Sequence, residues 1–286
     1  TDGIVLTANK TVGIIGKNAS EVSNTGRIET KTATPSGSSE GLVGISLNAS
    51  TGTNSGDIIL GTAHSTGMNG VASSTVINAK NITGNKENVV GMAVNASTAT
   101  NETTGQIILG TAFSTGMFGE ASSTLTNAGK ITGNTNIAGI VGIASDKSMV
   151  TNNNGATITL QGKSSTGIFG KNGSTVSNAG KIETKTAVPT TSTEGLVGIA
   201  LNASTVTNKT SGEIKLGTAY STGMFGAATS TVINEGKITG NQLKNVGMAG
   251  NASIVTNKNI ITLQGKSSTG IFGENNSTLL NDTTGN

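Results

Sequence analysis

The chain has 286 residues, a formal net charge of +3, 12% charged residues and 2% aromatic residues, with no cysteine and no tryptophan. Threonine, asparagine, serine and glycine supply more than half of it, and an apolar fraction of 33% is too lean for a compact globule of this length. Two prolines and sparse charge argue equally against a disordered chain.

Without cysteine there are no disulfides and no thiolate metal sites. No basic block supports nucleic-acid binding. The longest apolar-plus-glycine run, Ile137 to Ala144, is far too short to insert in a membrane. The N-terminal Thr1-Asp2-Gly3-Ile4 has neither the basic nor the apolar region of a signal peptide. A repeat with a thin core is the class that remains.

The chain opens inside a unit, because Ile4 and Leu6 match Ile58 and Leu60. The first full unit starts at Gly13, and anchor glycines follow at Gly44, Gly67, Gly91, Gly116, Gly142, Gly167, Gly198, Gly223, Gly247 and Gly270. A second series keeps the same mean spacing: Asn24, Asn54, Asn78, Asn101, Asn127, Asn152, Asn178, Asn208, Asn234, Asn257 and Asn281. Two independent series of one period define a repeat.

Within a unit, short segments alternate apolar and polar residues, as in Thr166–Gly170, Ser174–Asn178 and Lys181–Lys185. Period two over four or five residues, punctuated by Gly, Asn and Ser, predicts strands and turns. No stripe of helical period occurs. The expected fold is an all-β, right-handed parallel β-helix of about eleven coils of about 25 residues, three short strands each. At a strand spacing of roughly 4.8 Å, eleven coils make a rod about 50 Å long. The chain is expected to be a single β-helix segment, residues 1–286, in which a six-coil superunit at 13–166 recurs at 167–286.

In each coil the residue after the anchor is Ile or Met, from Ile14 and Ile45 to Met248 and Ile271. Strict alternation would turn it inward together with the Thr or Val two before it and the residue two after it. That later site is glycine in odd coils (Gly16, Gly70, Gly119, Gly170, Gly226, Gly273) and varies in even ones (Leu47, Val94, Ser145, Leu201, Gly250). Small and large side chains on neighbouring rungs should interdigitate. A second inward stack is expected at Ile28, Ile58, Ile82, Ile107, Ile131, Ile158, Ile182, Ile214 and Ile238. The asparagines should close a turn, where left-handed backbone is tolerated and amides can bond from rung to rung.

Two longer loops are copies: Ile28 to Ala33 with Pro35 and Glu40 matches Ile182 to Ala187 with Pro189 and Glu194. They are the expected protrusions. Stacking should also set Arg27 beside Asp57, and Glu213 between Lys181 and Lys237, penalising a one-coil slip.

Catalytic chemistry has little to stand on. Glycoside hydrolysis needs two carboxylates about 5–10 Å apart in distinct environments, yet Glu29 recurs as Glu183 and Glu40 as Glu194, as scaffold residues would. His64, the single histidine, shares its register with Phe113 and Tyr220. No Ser-His-Asp set, metal cluster, phosphate loop or calcium nonapeptide is present, so no cofactor and no catalytic residue is expected. Two aromatic series are the candidate partner-binding residues. One is Phe118, Phe169, Phe225 and Phe272, with Ile15 and Asn69 in the same register. The other is His64, Phe113 and Tyr220. Rows of exposed rings suit a protein or the apolar face of a sugar.

The Asn-x-Gly-x-Ile turn, the Ser-Thr-Val strand and the Thr-Gly-Ile/Met-Phe-Gly strand resemble the passenger domains of type V autotransporters. They are most similar to the very large fusobacterial outer-membrane adhesins, and the resemblance covers the whole chain. It implies a non-enzymatic cell-surface stalk that mediates or presents adhesion to host cells or partner bacteria through a protein or glycan receptor. It also implies anchoring to the outer membrane by a barrel that this chain lacks, so a fragment of a longer stalk is expected. The alternatives are a polysaccharide-acting lyase or hydrolase and an ice-binding solenoid. A regular Thr-x-Thr array would favour the last; two long loops and uneven coils count against it.

Overall fold

The computed structural model describes residues 3–134, 138–185 and 187–282. Thirty-three strands form three parallel sheets of eleven strands each, and every strand pairs with its counterparts one coil away. Sheet B holds the anchor strands, from Val12–Lys17 to Thr269–Glu274; sheet C follows, from Glu21–Asn24 to Thr278–Asn281. Sheet A closes each coil, from Ile4–Leu6 to Ile261–Leu263. The chain is a right-handed parallel β-helix, the hand that parallel crossovers favour. Among the described residues the only helical pieces are single 3-10 turns at Ser38–Glu40 and Ser192–Glu194.

The core is a set of stacks. Ile28, Ile58, Ile82, Ile107, Ile131, Ile158, Ile182, Ile214 and Ile238 are fully or almost fully buried, each worth roughly 1.5–3 kcal/mol of burial. Ile45, Met68, Met92, Met117, Ile143, Ile168, Ile199, Met224 and Met248 line sheet B with no exposed surface. Glycine and larger residues interdigitate at the later site: Gly16 pairs Leu47 and Leu47 pairs Gly70. A Cβ on Gly16 would sit 2.9 Å from Leu47 Cδ2.

Alternation fails at one place. The Thr or Val two before the inward Ile or Met is half-buried on the outer side, while the anchor glycine itself is buried. The ladder skips the anchor: Thr66 pairs Val90 and Met68 pairs Met92. A Cβ on Gly67 would lie 2.5 Å from the carbonyl oxygen of Gly91 and 2.9 Å from Ile82 Cγ2. The same approach recurs at each anchor from Gly13 to Gly247, so the backbone packs inward there and only glycine fits.

Left-handed backbone is also placed differently from expectation. None of the ladder asparagines has positive φ. Each ends its sheet C strand with the side chain inward. The left-handed residues sit between sheets B and C, as pairs in odd coils (Ala72 with Ser73, Ala121 with Ser122) and singly in even coils (Ala49, Ala96, Lys147). That additional left-handed residue lengthens the B–C turn of the odd coils, while the longest coils owe their length to the two long loops between sheets A and B. A second left-handed file marks the corner between sheets A and B: Lys10, His64, Asn88, Phe113, Gly139, Ser164, Tyr220, Lys244 and Ser267.

Asn24 Nδ2 donates to Asn54 Oδ1 at 2.7 Å, and the series continues to Asn281 in bonds of 2.7–2.9 Å. A serine ladder runs beside the B–C corner, where the Ser74 amide donates to Ser97 Oγ at 3.0 Å and the Ser174 amide to Ser204 Oγ at 3.1 Å. The two long loops are latched rather than loose. Pro35 and Pro189 are buried, and Glu40 Oε2 accepts from the Ser36 amide and hydroxyl as Glu194 Oε2 does from Thr190.

The charged register is as expected, with Arg27 opposite Asp57 and Glu213 between Lys181 and Lys237. The ion pairs close elsewhere. Arg27 reaches Glu29 at 2.9 Å, Asp57 meets Lys80 at 3.6 Å, and Glu183 gathers Lys215, Lys181 and Lys185 at 3.2–3.8 Å.

Candidate functional site

Sheet B presents its aromatic file outward. The register runs Ala93, Phe118, Ala144, Phe169, Ala200, Phe225, Ala249, Phe272, so a ring stands on every second rung with alanine between. Phe118, Phe169 and Phe225 are half-buried; Phe272, on the last coil, is 48% exposed, and Ile15 at the other end is 56% exposed. Alternation beyond the anchor fixes this direction, since the buried Met117 and Gly119 flank Phe118.

The file has a mixed threonine–valine row on one side and a largely polar row on the other. Towards sheet A lie alternating threonine and valine: Thr115, Val141, Thr166, Val197, Thr222, Val246. Towards sheet C lie Glu120, Asp146, Lys171, Asn202, Ala227, Asn251 and Glu274. Several are tied together: Asn95 Nδ2 donates to Glu120 at 2.7 Å, Asn251 to Glu274 at 3.1 Å, and Lys171 pairs Asp146 at 3.1 Å. The Asn172 amide and the Lys171 ammonium hold the Asp146 carboxyl below its ordinary pKa.

The second aromatic series lies on a different surface, the A–B corner. His64, Phe113 and Tyr220 all have φ of 54–56°, a left-handed conformation uncommon for bulky residues. They occupy coils 3, 5 and 9, so two rungs separate the first pair and four the second. Phe113 is 64% exposed and leans over Gly139, whose Cβ would fall 2.9 Å from its Cδ1. Tyr220 is covered by Lys244, whose Nζ lies 5.0 Å from the ring centroid. The His64 and Tyr220 carbonyls receive the ends of the two long loops, for a Cβ at Gly41 or Gly195 would lie within about 2 Å of them. The structure therefore brings the four phenylalanines into one file and leaves the other three residues as turn elements.

The copied acids are engaged in structure. Glu194 is drawn down to about 2 by the Thr190 amide, the Lys163 ammonium at 3.0 Å and the Thr190 hydroxyl. Ser36 lowers Glu40 in the same way, through its amide and then its hydroxyl. For Glu183 burial works upward, but Lys215, Lys181 and Lys185 prevail and the carboxyl is lowered. A general acid needs the opposite shift. The depression over sheet A lined by Lys215, Thr239, Asn241 and Gln264 contains no carboxylate, and the one at the corner by Ala63, Lys86 and Ala112 has only Glu87. Among the described residues no three His, Cys, Asp or Glu side chains converge, and no helix is long and apolar enough to cross a membrane.

A third surface was not singled out in the sequence. The outer face of sheet C carries Thr51 and Thr53, Thr98 and Thr100, Thr124 and Thr126, and Thr205 and Thr207, with Ile77, Met149, Ile233 and Ile254 interrupting the array on other rungs. Its outward residues from Thr51 to Leu280 include no charge. The Ser-Thr-Val phrase was the available signal, masked because threonine is also an ordinary strand former.

Three in-register sheets, buried amide ladders and a one-dimensional core define a parallel β-solenoid, and the family match identifies it as a β-helical passenger domain of the autotransporter type. The chain belongs to the family of the BigA third pectate lyase-like domain, which matches residues 133–285. Pectate lyase-like names a fold there. No curated protein matches the chain. Among solved structures, a hyper-glycosylated fragment of TibA, its glycosylation catalysed by TibC, aligns over 94% of this chain and 100% of its own, with 12% identity and a TM-score of 0.27. That likeness is too loose for residue correspondences.

Proposed function

We propose that the segment is a non-enzymatic adhesin stalk, displayed at the cell surface, that mediates or presents contact with host or partner bacterial cells. The observation that carries this reading is the phenylalanine file of sheet B, half-buried, outward-facing rings repeated along one face of a rod. Exposed apolar rows on such a face fit a partner surface. Membership in the BigA domain family supports it, and the lowered, bonded acids weigh against a lyase or hydrolase. The two latched loops recur at matching places in the superunits 13–166 and 167–286, consistent with a duplicated spacer that carries the face outward.

The test is capture of partner cells on a surface coated with this chain. The double variant Phe169→Ser/Phe225→Ser should capture several-fold fewer cells while its β-rich circular dichroism stays unchanged. Equal capture by a folded variant rejects the file as the contact site. Catalytic turnover of acidic or neutral polysaccharides by the chain would reject the non-enzymatic reading.

The ice-binding alternative gains one observation, the uncharged threonine array of sheet C. The long loops that counted against it lie between sheets A and B, away from that face. Inhibition of ice recrystallisation, lost in Thr98→Lys/Thr124→Lys, would support it; no inhibition by the unaltered chain disposes of it.

A further inference from the structure

The phenylalanine file has a pitch as well as a face. Rings recur on alternate rungs, about 9–10 Å apart, with alanine on the rungs between. A partner that engages more than one ring must repeat at the same interval. We propose, resting on the reading of sheet B as the contact surface, that this face is a rail for an extended, uncharged, unbranched polysaccharide of equatorially linked hexoses lying along the rod axis.

Three physical arguments select that occupant. An extended β-1,4-linked chain advances close to one rung per sugar and turns over at each residue. Every second sugar therefore offers the same face to the next phenylalanine, and the one between lies over alanine. The axial C–H groups of such a sugar are its apolar face, and they meet the electron-rich face of the ring.

The flanks match the rest of the sugar. Its equatorial hydroxyls project sideways, towards the Thr166 hydroxyl on one side and the Asp146 and Asn202 side chains on the other. An apolar helix laid in the same place would strip water from those groups without replacing its hydrogen bonds. A peptide strand is excluded from the face because each rung's backbone bonds are spent on the rungs above and below, leaving free sheet edges only at the rod's ends.

Charge points the same way. Lys171 and Asp146 neutralise one another at the middle of the file, and the remaining charges beside it, Glu120 and Glu274, are acidic and six rungs apart, so a polyanion finds no complementary strip and a polycation no continuous one.

The experiment is affinity electrophoresis of the whole chain in gels containing hydroxyethyl cellulose, with dextran as the flexible, differently linked control. A series from cellobiose to cellohexaose then serves as competitor. Hydroxyethyl cellulose should retard the chain and dextran should not. Competition should strengthen most where the oligosaccharide first reaches a second ring, and Phe169→Ser/Phe225→Ser should lower affinity at least tenfold. The sheet C variant Thr98→Lys/Thr124→Lys should bind like the unaltered chain. No retardation of the unaltered chain, equal retardation of the phenylalanine variant, or retardation by carboxymethyl cellulose alone each overturns the proposal. If the polysaccharides fail but the phenylalanine variant still loses cell capture, the contact surface stands and its occupant is not an extended equatorially linked polysaccharide. If capture is unchanged too, the contact surface itself is wrong.

Discussion

Asn127 Nδ2 donates to Asn152 Oδ1 at 2.8 Å, and neither residue has any exposed surface. Each ladder asparagine between Asn24 and Asn281 thus both gives and receives inside the rod, which satisfies amides that burial would otherwise penalise. Replacing Asn152 by alanine strands two buried partners, Nδ2 of Asn127 and Oδ1 of Asn178. The expected loss is about 2–6 kcal/mol, at roughly 1–3 kcal/mol for each of the two unpaired groups. Denaturant unfolding checks it, and stability equal to that of the unaltered chain would show that the ladder is ornamental.

The anchor glycines make a steric prediction. A Cβ at Gly142 would meet the Gly167 carbonyl oxygen at 2.5 Å and Ile158 Cγ2 at 2.7 Å, whereas one at Gly37 meets nothing within 4 Å. Gly142→Ala should cost ~2 kcal/mol or more and Gly37→Ala no more than ~0.5 kcal/mol. The two midpoints of unfolding measured side by side decide it. Similar values would mean that the coils can spread at the anchor.

Acid acts on the loop latch. Glu194 is depressed to about 2, chiefly by the Thr190 amide and then by Lys163. A lowered carboxyl contributes stability that is complete above its unfolded value, near 4.5, and is lost as pH falls towards 2. The loop at 187–196 should therefore stay closed at pH 4 and open near pH 2. Titration of the Glu194 carboxyl by nuclear magnetic resonance should give a midpoint near 2, raised by Lys163→Met. A midpoint near 4.5 in the unaltered chain contradicts the latch.

Much of the fold is legible from residues whose spacing encodes stacking. The Ile28 to Ile238 series and the Asn24 to Asn281 series name their own positions, because a parallel ladder places like on like. Strict alternation would turn Thr66 and Val90 inward, but Gly67 and Gly91 approach too closely for the ladder to alternate through them. That closeness is a tertiary distance, invisible to a pattern of two. The serine ladder, as from Ser74 to Ser97, escaped notice because a serine before a strand reads as a turn. Of the candidate site, Phe118 to Phe272 could be found from their register. His64, Phe113 and Tyr220 share a register but sit at a corner where left-handed backbone and loop docking decide their surroundings.

All of these relations depend on distance along the rod growing with coil number rather than with sequence separation. Spin labels on sheet C measure that directly. A pair at Thr98→Cys and Thr205→Cys spans four rungs, and a pair at Thr51→Cys and Thr231→Cys spans seven. At a rung spacing of about 4.8 Å, narrow distributions near 19 Å and 34 Å are expected, in the ratio of the rung counts. Broad distributions, or distances that do not scale with rungs, would contradict the stacked helix and every surface assigned to it.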